Sequence, residues 1–122
     1  MVVDYSTRSG AQTDLLFHAL ADGTRRDIVR LVMVDEHSVS SLARRYPVSF
    51  AAVQKHVAVL DRAGLIVKRK VGREQLVGGC VDAVREAARL LDELDTIWRG
   101  RLDRFTAVLC EPSPTLTEGA SE

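Results

Sequence analysis

Ser49-Phe-Ala-Ala-Val-Gln-Lys-His-Val-Ala-Val-Leu60 is the stretch whose reading decides the fold. A helix turns about 100° per residue, so centring Val53 on one face sets Phe50, Val57 and Leu60 beside it. The same rotation turns Ala51, Gln54, Lys55 and Ala58 the opposite way. The apolar side is narrow. The outer side holds two long hydrogen-bonding side chains among alanines, so it can approach another surface closely and then read it. His56 falls about 60° from Val53, on the inner flank.

Working outward, Ser49 is placed to cap this helix, and Gly64 follows it as a natural stop. Upstream, Asp35 to Ser38 breaks the helical pattern. Ser38 or Ser40 then caps a short helix containing Leu42, Ala43 and Tyr46, which Pro47 ends because the residue before a proline avoids helical backbone. Two short helices joined by a tight Tyr-Pro-Val-Ser connection are the helix-turn-helix pattern. Downstream, Leu65 to Val71 and Glu74 to Val77 flank a Gly72-Arg73 tip. That pattern predicts a β-hairpin with Gly72 at a positive φ, ended by Gly78-Gly79.

Further out, Leu15, Leu16, Ala19 and Leu20 recur at helical spacing and predict a first helix over about Asp14 to Leu20. Asp22 caps a second through about Val34, with Ile28, Leu31 and Val32 as its stripe. Arg25 and Arg26 lie in its first turn, the wrong end for the helix dipole, and so look for a phosphate or for a carboxylate such as Asp22 or Asp27. A long helix is expected over about 82–109, with Gly100 a point where it can bend. The fold class is mainly α with a small β-hairpin wing. Residues 13–110 form one domain, residues 1–12 are expected to be flexible, and 111–122 read as a disordered Pro/Ser/Thr tail.

Net charge is zero, yet its distribution is uneven. Arg44, Arg45, Lys55, Arg62, Lys68, Arg69, Lys70 and Arg73 face only Asp61 within residues 44–73, a formal +7, while the rest of the chain carries −7. Such segregation favours a footprint for a polyanion. No apolar run reaches the roughly 18 residues of a membrane span, and no secretory leader is visible, so a cytoplasmic protein is expected. The two cysteines, Cys80 and Cys110, form no CxxC and no cysteine–histidine cluster, which disfavours a disulfide framework or a zinc finger. They read as ordinary small hydrophobes, with a redox switch across a dimer as the alternative. No nucleophile triad, phosphate loop or paired-carboxylate motif is present, so an enzyme is not expected.

The long helix would span roughly 40 Å at about 1.5 Å per residue, more than so small a domain can cover. Leu94, Trp98, Leu102 and Phe105 are therefore expected to meet a second copy in a two-fold homodimer.

Two stretches carry a family resemblance. Ala19-Leu-Ala-Asp-Gly-Thr-Arg-Arg-Asp-Ile-Val29 looks like the "ALADxTRRxIL" opening of the ArsR family of winged-helix repressors, and Val48 to Leu65 is similar to its "LSQxxVSxHLxxLxxAGLV". With the wing-like Lys68-Arg-Lys-Val-Gly-Arg73, the resemblance covers about residues 14–109. It implies a winged helix-turn-helix homodimer, paired through first and last helices and so with Leu15 and Leu16 in the interface beside the last-helix residues, that represses transcription from a palindromic operator. Many members sense metals through a CxC on the third helix. Here that position reads Ser38-Val-Ser40, and the last helix lacks histidine, so neither common metal site is expected and no cofactor is assigned.

On double-stranded DNA the resemblance implies that Ser49 to Ala63 enters the major groove. Ser49 would touch phosphate, Gln54 would pair with adenine, Lys55 would reach guanine, and Ala51 would allow close approach. Phe50 either meets a thymine methyl or packs on the core edge, and His56 takes a structural or phosphate role. Lys68, Arg69, Lys70 and Arg73, with Arg44, would hold the backbone or the adjacent minor groove. The alternatives are a metal- or redox-responsive repressor with an atypical site, or a winged-helix module that binds protein. No small-molecule effector is assigned.

Overall fold

Leu16, Ile28, Leu42, Val53, Leu60, Leu65 and Val77 are wholly buried and gather segments from Leu16 to Val77 around one core. A computed structural model describes residues 10–110. In chain order the elements are α1 (Gly10–Leu20), α2 (Gly23–Val34), β1 (His37–Ser38), α3 (Val39–Ala43), α4 (Phe50–Arg62), β2 (Ile66–Val71), β3 (Glu74–Gly79) and α5 (Val81–Cys110). The chain divides into two units, Met1–Ala88 and Arg89–Glu122. In the first, each fully buried Leu or Ile contributes about 1.5–3 kcal/mol of transfer free energy, and Ala83 and Ala87 of α5 join the same core.

The α1 helix starts at Gly10, so residues 10–12, expected to fray, are its first turn. Ala11 and Gln12 are good helix formers, and nothing there opposes extension. The remainder of the expected flexible N-terminus and the 111–122 tail lie outside the described residues. Asp22 caps α2 as expected, its carboxylate accepting from the Arg25 amide at 3.0 Å. That bond is the main reason its carboxyl is held below the usual carboxylate range.

Three boundaries differ from the sequence reading. Residues 37 and 38 are a strand that pairs antiparallel with β3, so the wing is a three-stranded sheet of order β1-β3-β2 rather than a hairpin. The α3 helix, capped by Ser38, ends at Ala43, well before Pro47. Tyr46 lies in the turn and donates from its hydroxyl to Asp27 at 2.7 Å, which fastens the turn to α2. The β3 strand runs through Gly78 and Gly79, which pair with Val67 and Ile66. Gly79 is there because β3 grazes the end of α2: a Cβ on it would stand 2.6 Å from the Met33 sulfur and 3.0 Å from the Met33 Cα.

The hairpin itself forms as expected. Val71 pairs with Glu74 across a two-residue turn, and Gly72 takes φ 62°, the left-handed value that a first position of this kind requires. Arg73, the second position, does not.

The second unit is the distal part of α5, which continues through Gly100 without a break. Leu91, Leu94, Ile97, Trp98, Leu102 and Phe105 lie along it with 42–60% of their surface exposed. Arg101 sits 5.5 Å from the Trp98 ring centroid, and Arg99 pairs with Asp95 at 2.8 Å on the polar side.

Candidate nucleic-acid interface

The α4 helix is fixed at both ends and on one side. Ser49 accepts from the Ala52 amide at 3.0 Å, and the chain leaves the other end through Ala63 and Gly64. Val53, Val57 and Leu60 are buried, while Ala51, Gln54, Lys55 and Ala58 are exposed, the two faces the spacing predicts. Of the candidate readers, Gln54 and Lys55 therefore share the outer face with Ala51. Phe50 is 47% exposed, so it is not a core residue.

His56 belongs to a different set of contacts. It is half-buried, and its Nδ1 accepts from an Arg25 guanidinium N–H at 3.3 Å, which leaves the ring proton on Nε2. The same guanidinium donates to the Ala19 carbonyl at 2.8 Å and the His18 carbonyl at 3.2 Å, and Arg26 donates to the Leu20 carbonyl at 2.8 Å. The side-chain hydrogen bonds of Arg25 and Arg26 thus go to neither Asp22 nor Asp27, although the Arg25 charge still helps to lower the Asp22 pKa. They cap the open carbonyl end of α1, where a cation is favoured. The charge that opposes the dipole of α2 complements that of α1, and Arg25 also ties α1 to α4 through His56.

The wing cations divide into two classes. Arg69, expected to meet DNA, is held by Glu36: its Nε and Nη2 donate to the two carboxylate oxygens at 2.9 and 2.7 Å. This pairing lowers the Glu36 pKa and raises that of Arg69. Lys68 lies 3.7 Å from Asp61 of α4. Both cations brace the wing against its neighbours. Lys70 and Arg73, and likewise Lys55 and Arg44, have no ion-pair partner among the described residues. With Arg45 and Arg62, also exposed and without an ion-pair partner among the described residues, these six cations are the part of the +7 segment left open to a polyanion.

Between α3, α4 and the wing opens a cleft of about 230 Å³, walled by Phe50, Gln54, Val57, Lys68, Arg73 and Gln75. Gln75 was not singled out in the sequence. Its position on β3 opposite Lys70 was the available signal.

Of the expected dimer residues, Leu16 is fully buried in the core of its own chain, because α1 turns it against the first unit's interior, so its side chain is not offered to a second copy. Leu15 is 38% exposed, and Leu94, Trp98, Leu102 and Phe105 are exposed on α5. Among the described residues, no three His, Cys, Asp or Glu side chains gather as a metal-holding group. Cys80 is a free, partly buried thiol. No described helix is long and apolar enough to cross a membrane.

No protein-family model matches the sequence. The chain is 36% identical over 96 residues to the HTH-type transcriptional regulator Rv2034 of Mycobacterium tuberculosis, covering 79% of this chain and 87% of that one. Among solved structures, the ArsR-like transcriptional regulator from Rhodococcus sp. RHA1 is 35% identical, with 80% of this chain and 92% of that chain covered and a TM-score of 0.71. The homodimeric winged helix-turn-helix DNA-binding domain Mb0332 of Mycobacterium bovis, a possible ArsR-family regulator, is 25% identical over 78% of this chain and 91% of that one, with a TM-score of 0.58.

Proposed function

The chain belongs to the ArsR family of winged helix-turn-helix DNA-binding transcriptional regulators and is not an enzyme; from that premise we propose that it is a repressor that occupies a palindromic operator as a homodimer. The observation that carries this reading is α4 itself: a helix locked on its inner side that presents Ala51, Gln54 and Lys55 outward. In the major groove Gln54 pairs with adenine N6/N7 and Lys55 reaches guanine O6/N7. Lys70, Arg73 and Arg44 neutralise phosphates to either side, and the α4 N-terminus offers free amides behind Ser49. Pairing with a second copy uses the stripe through Leu94, Trp98, Leu102 and Phe105 of α5, with Leu15 of α1 as its companion. Repression follows from occupancy, since a bound dimer excludes polymerase from an overlapping promoter.

This reading gives the protein no metal site of the common family kinds. The Ser38 hydroxyl, at the first position of the family's CxC, accepts from the Ser41 amide at 3.0 Å and is occupied as a helix cap.

Fluorescence anisotropy on duplexes selected from a random pool tests the assignment. Gln54→Ala is expected to cost about 1–3 kcal/mol and to relax specificity at one position per half-site. Lys70→Ala is expected to weaken all sequences alike and to flatten the salt dependence. The reverse pattern refutes the division of labour between helix and wing.

A further inference from the structure

Phe50 is the most exposed of the large apolar side chains of α4. It opens α4, at the end of the helix nearest the turn, and keeps 47% of its surface exposed. Its neighbours Val53 and Val57, on the same helix, keep at most 2%. The ring forms one wall of the cleft, together with Gln54 one turn further along the helix. Residues four apart lie on one line of a helix, about 6 Å apart along the axis.

A phenyl ring has no donor or acceptor, so it can recognise only an apolar feature. In the major groove there is one: the C5-methyl of thymine. The roughly 6 Å between Phe50 and Gln54 corresponds to between one and two base steps of about 3.4 Å each. We infer that Phe50 is a specificity residue that packs on a thymine methyl one or two steps from the adenine read by Gln54. This rests on the DNA-reading role of α4 proposed above. Exposure of the ring in the free protein is then the open half of a contact that DNA completes. Burying one methyl is equivalent to about fourfold in affinity per half-site, from about 0.8 kcal/mol per buried methylene-sized group.

The experiment needs no variant for its first arm. Duplexes selected from a random pool by the wild-type protein define the site. Each thymine in a half-site is then replaced by deoxyuridine, which removes the methyl and leaves base pairing intact. Affinity is expected to fall about fourfold at one thymine per half-site, one or two steps from the adenine whose replacement by 7-deazaadenine also weakens binding. Phe50→Ala is expected to abolish the thymine/deoxyuridine difference, and Gln54→Ala to preserve it. Tight binding with deoxyuridine tolerated at every position overturns the inference while leaving the DNA-reading role intact. So does a Phe50→Ala protein that still discriminates. A pool from which the wild-type protein enriches no sequence overturns the DNA-reading role itself, and the inference with it.

Discussion

Replacing Arg25 with alanine removes three contacts at once: the bonds to the Ala19 and His18 carbonyls and the bond to His56 Nδ1. A hydrogen bond from a charged donor contributes about 1.5–3 kcal/mol, and an acceptor left unsatisfied in the interior costs a further 1–3 kcal/mol. The 2.8 Å bond to Ala19 and the 3.3 Å contact to His56 are part-buried, whereas the one to His18 is exposed and is readily replaced by water. Discounting accordingly, Arg25→Ala is expected to destabilise the fold by about 2–4 kcal/mol. At roughly 4 °C per kcal/mol for a chain of this size, the melting temperature falls by about 8–16 °C. Urea unfolding at fixed protein concentration, followed by far-ultraviolet circular dichroism, measures the loss. Arg25→Lys separates geometry from charge. A single ammonium cannot reach two carbonyls and a ring nitrogen together, so it is expected to recover less than half. An alanine variant within 0.5 kcal/mol of wild type, or a lysine variant that recovers fully, refutes the view that this guanidinium joins α1, α2 and α4.

Gly79→Ala would set a Cβ 2.6 Å from the Met33 sulfur, which can move, and 3.0 and 3.1 Å from the Met33 Cα and the Val32 carbonyl, which cannot; a loss of about 1–3 kcal/mol in urea unfolding is expected, and an unchanged midpoint contradicts the close approach of β3 to α2. Burial and then the hydrogen bond to Asp27 push the Tyr46 phenol up to about 12. The unfolded chain releases this proton near pH 10 and the native state keeps it, so its stabilisation is complete below that pH and declines as pH rises toward the folded value. The ultraviolet titration of wild type minus that of Tyr46→Phe reads the native midpoint, and a value near 10 is the failing result. Glu36→Gln keeps the stem that lies over Gly78 but weakens the hold on Arg69. DNA affinity is expected to rise and the slope of log K against log salt to steepen by up to about 0.9 per protomer, whereas an unchanged slope shows that Arg69 stays parked without the charge pair.

The parts of the fold set by periodicity and capping were legible in the chain. Ser49, Asp22 and Gly72 do locally what their chemistry dictates, and spacing alone gives the buried face of α4 at Val53, Val57 and Leu60, though not at Phe50. The departures arise where a partner distant in sequence decides the outcome. Strand β1 is two residues long, too short to have a period, and exists only because β3 runs alongside it. Gly78 and Gly79 read as punctuation because the α2 terminus that requires Gly79 is more than forty residues upstream. Leu15 and Leu16 are adjacent apolar residues on one short helix, and which of them faces inward depends on the packing of the first unit. The same holds for charge. Counting cations predicted the basic segment, but Glu36 and Asp61 decide that Arg69 and Lys68 brace the wing while Lys70 and Arg73 remain open.

The strand order β1-β3-β2 leaves β2 as a long outer strand with one row of backbone amides and carbonyls unpaired. Such an edge is a template on which another chain can add a strand, and Val67 and Val71, both exposed, would make the addition more favourable. Lys68, Arg69 and Lys70 sit between those valines. A consecutive cationic run repels a second copy of itself in any antiparallel edge-to-edge approach. Charge on this edge therefore opposes growth of the sheet, Lys70 through an ammonium unpaired among the described residues, and Lys68 and Arg69 in addition to their bonds to Asp61 and Glu36. Neutralising all three at once is expected to favour self-association along this edge, so single substitutions are the ones that report on the groove.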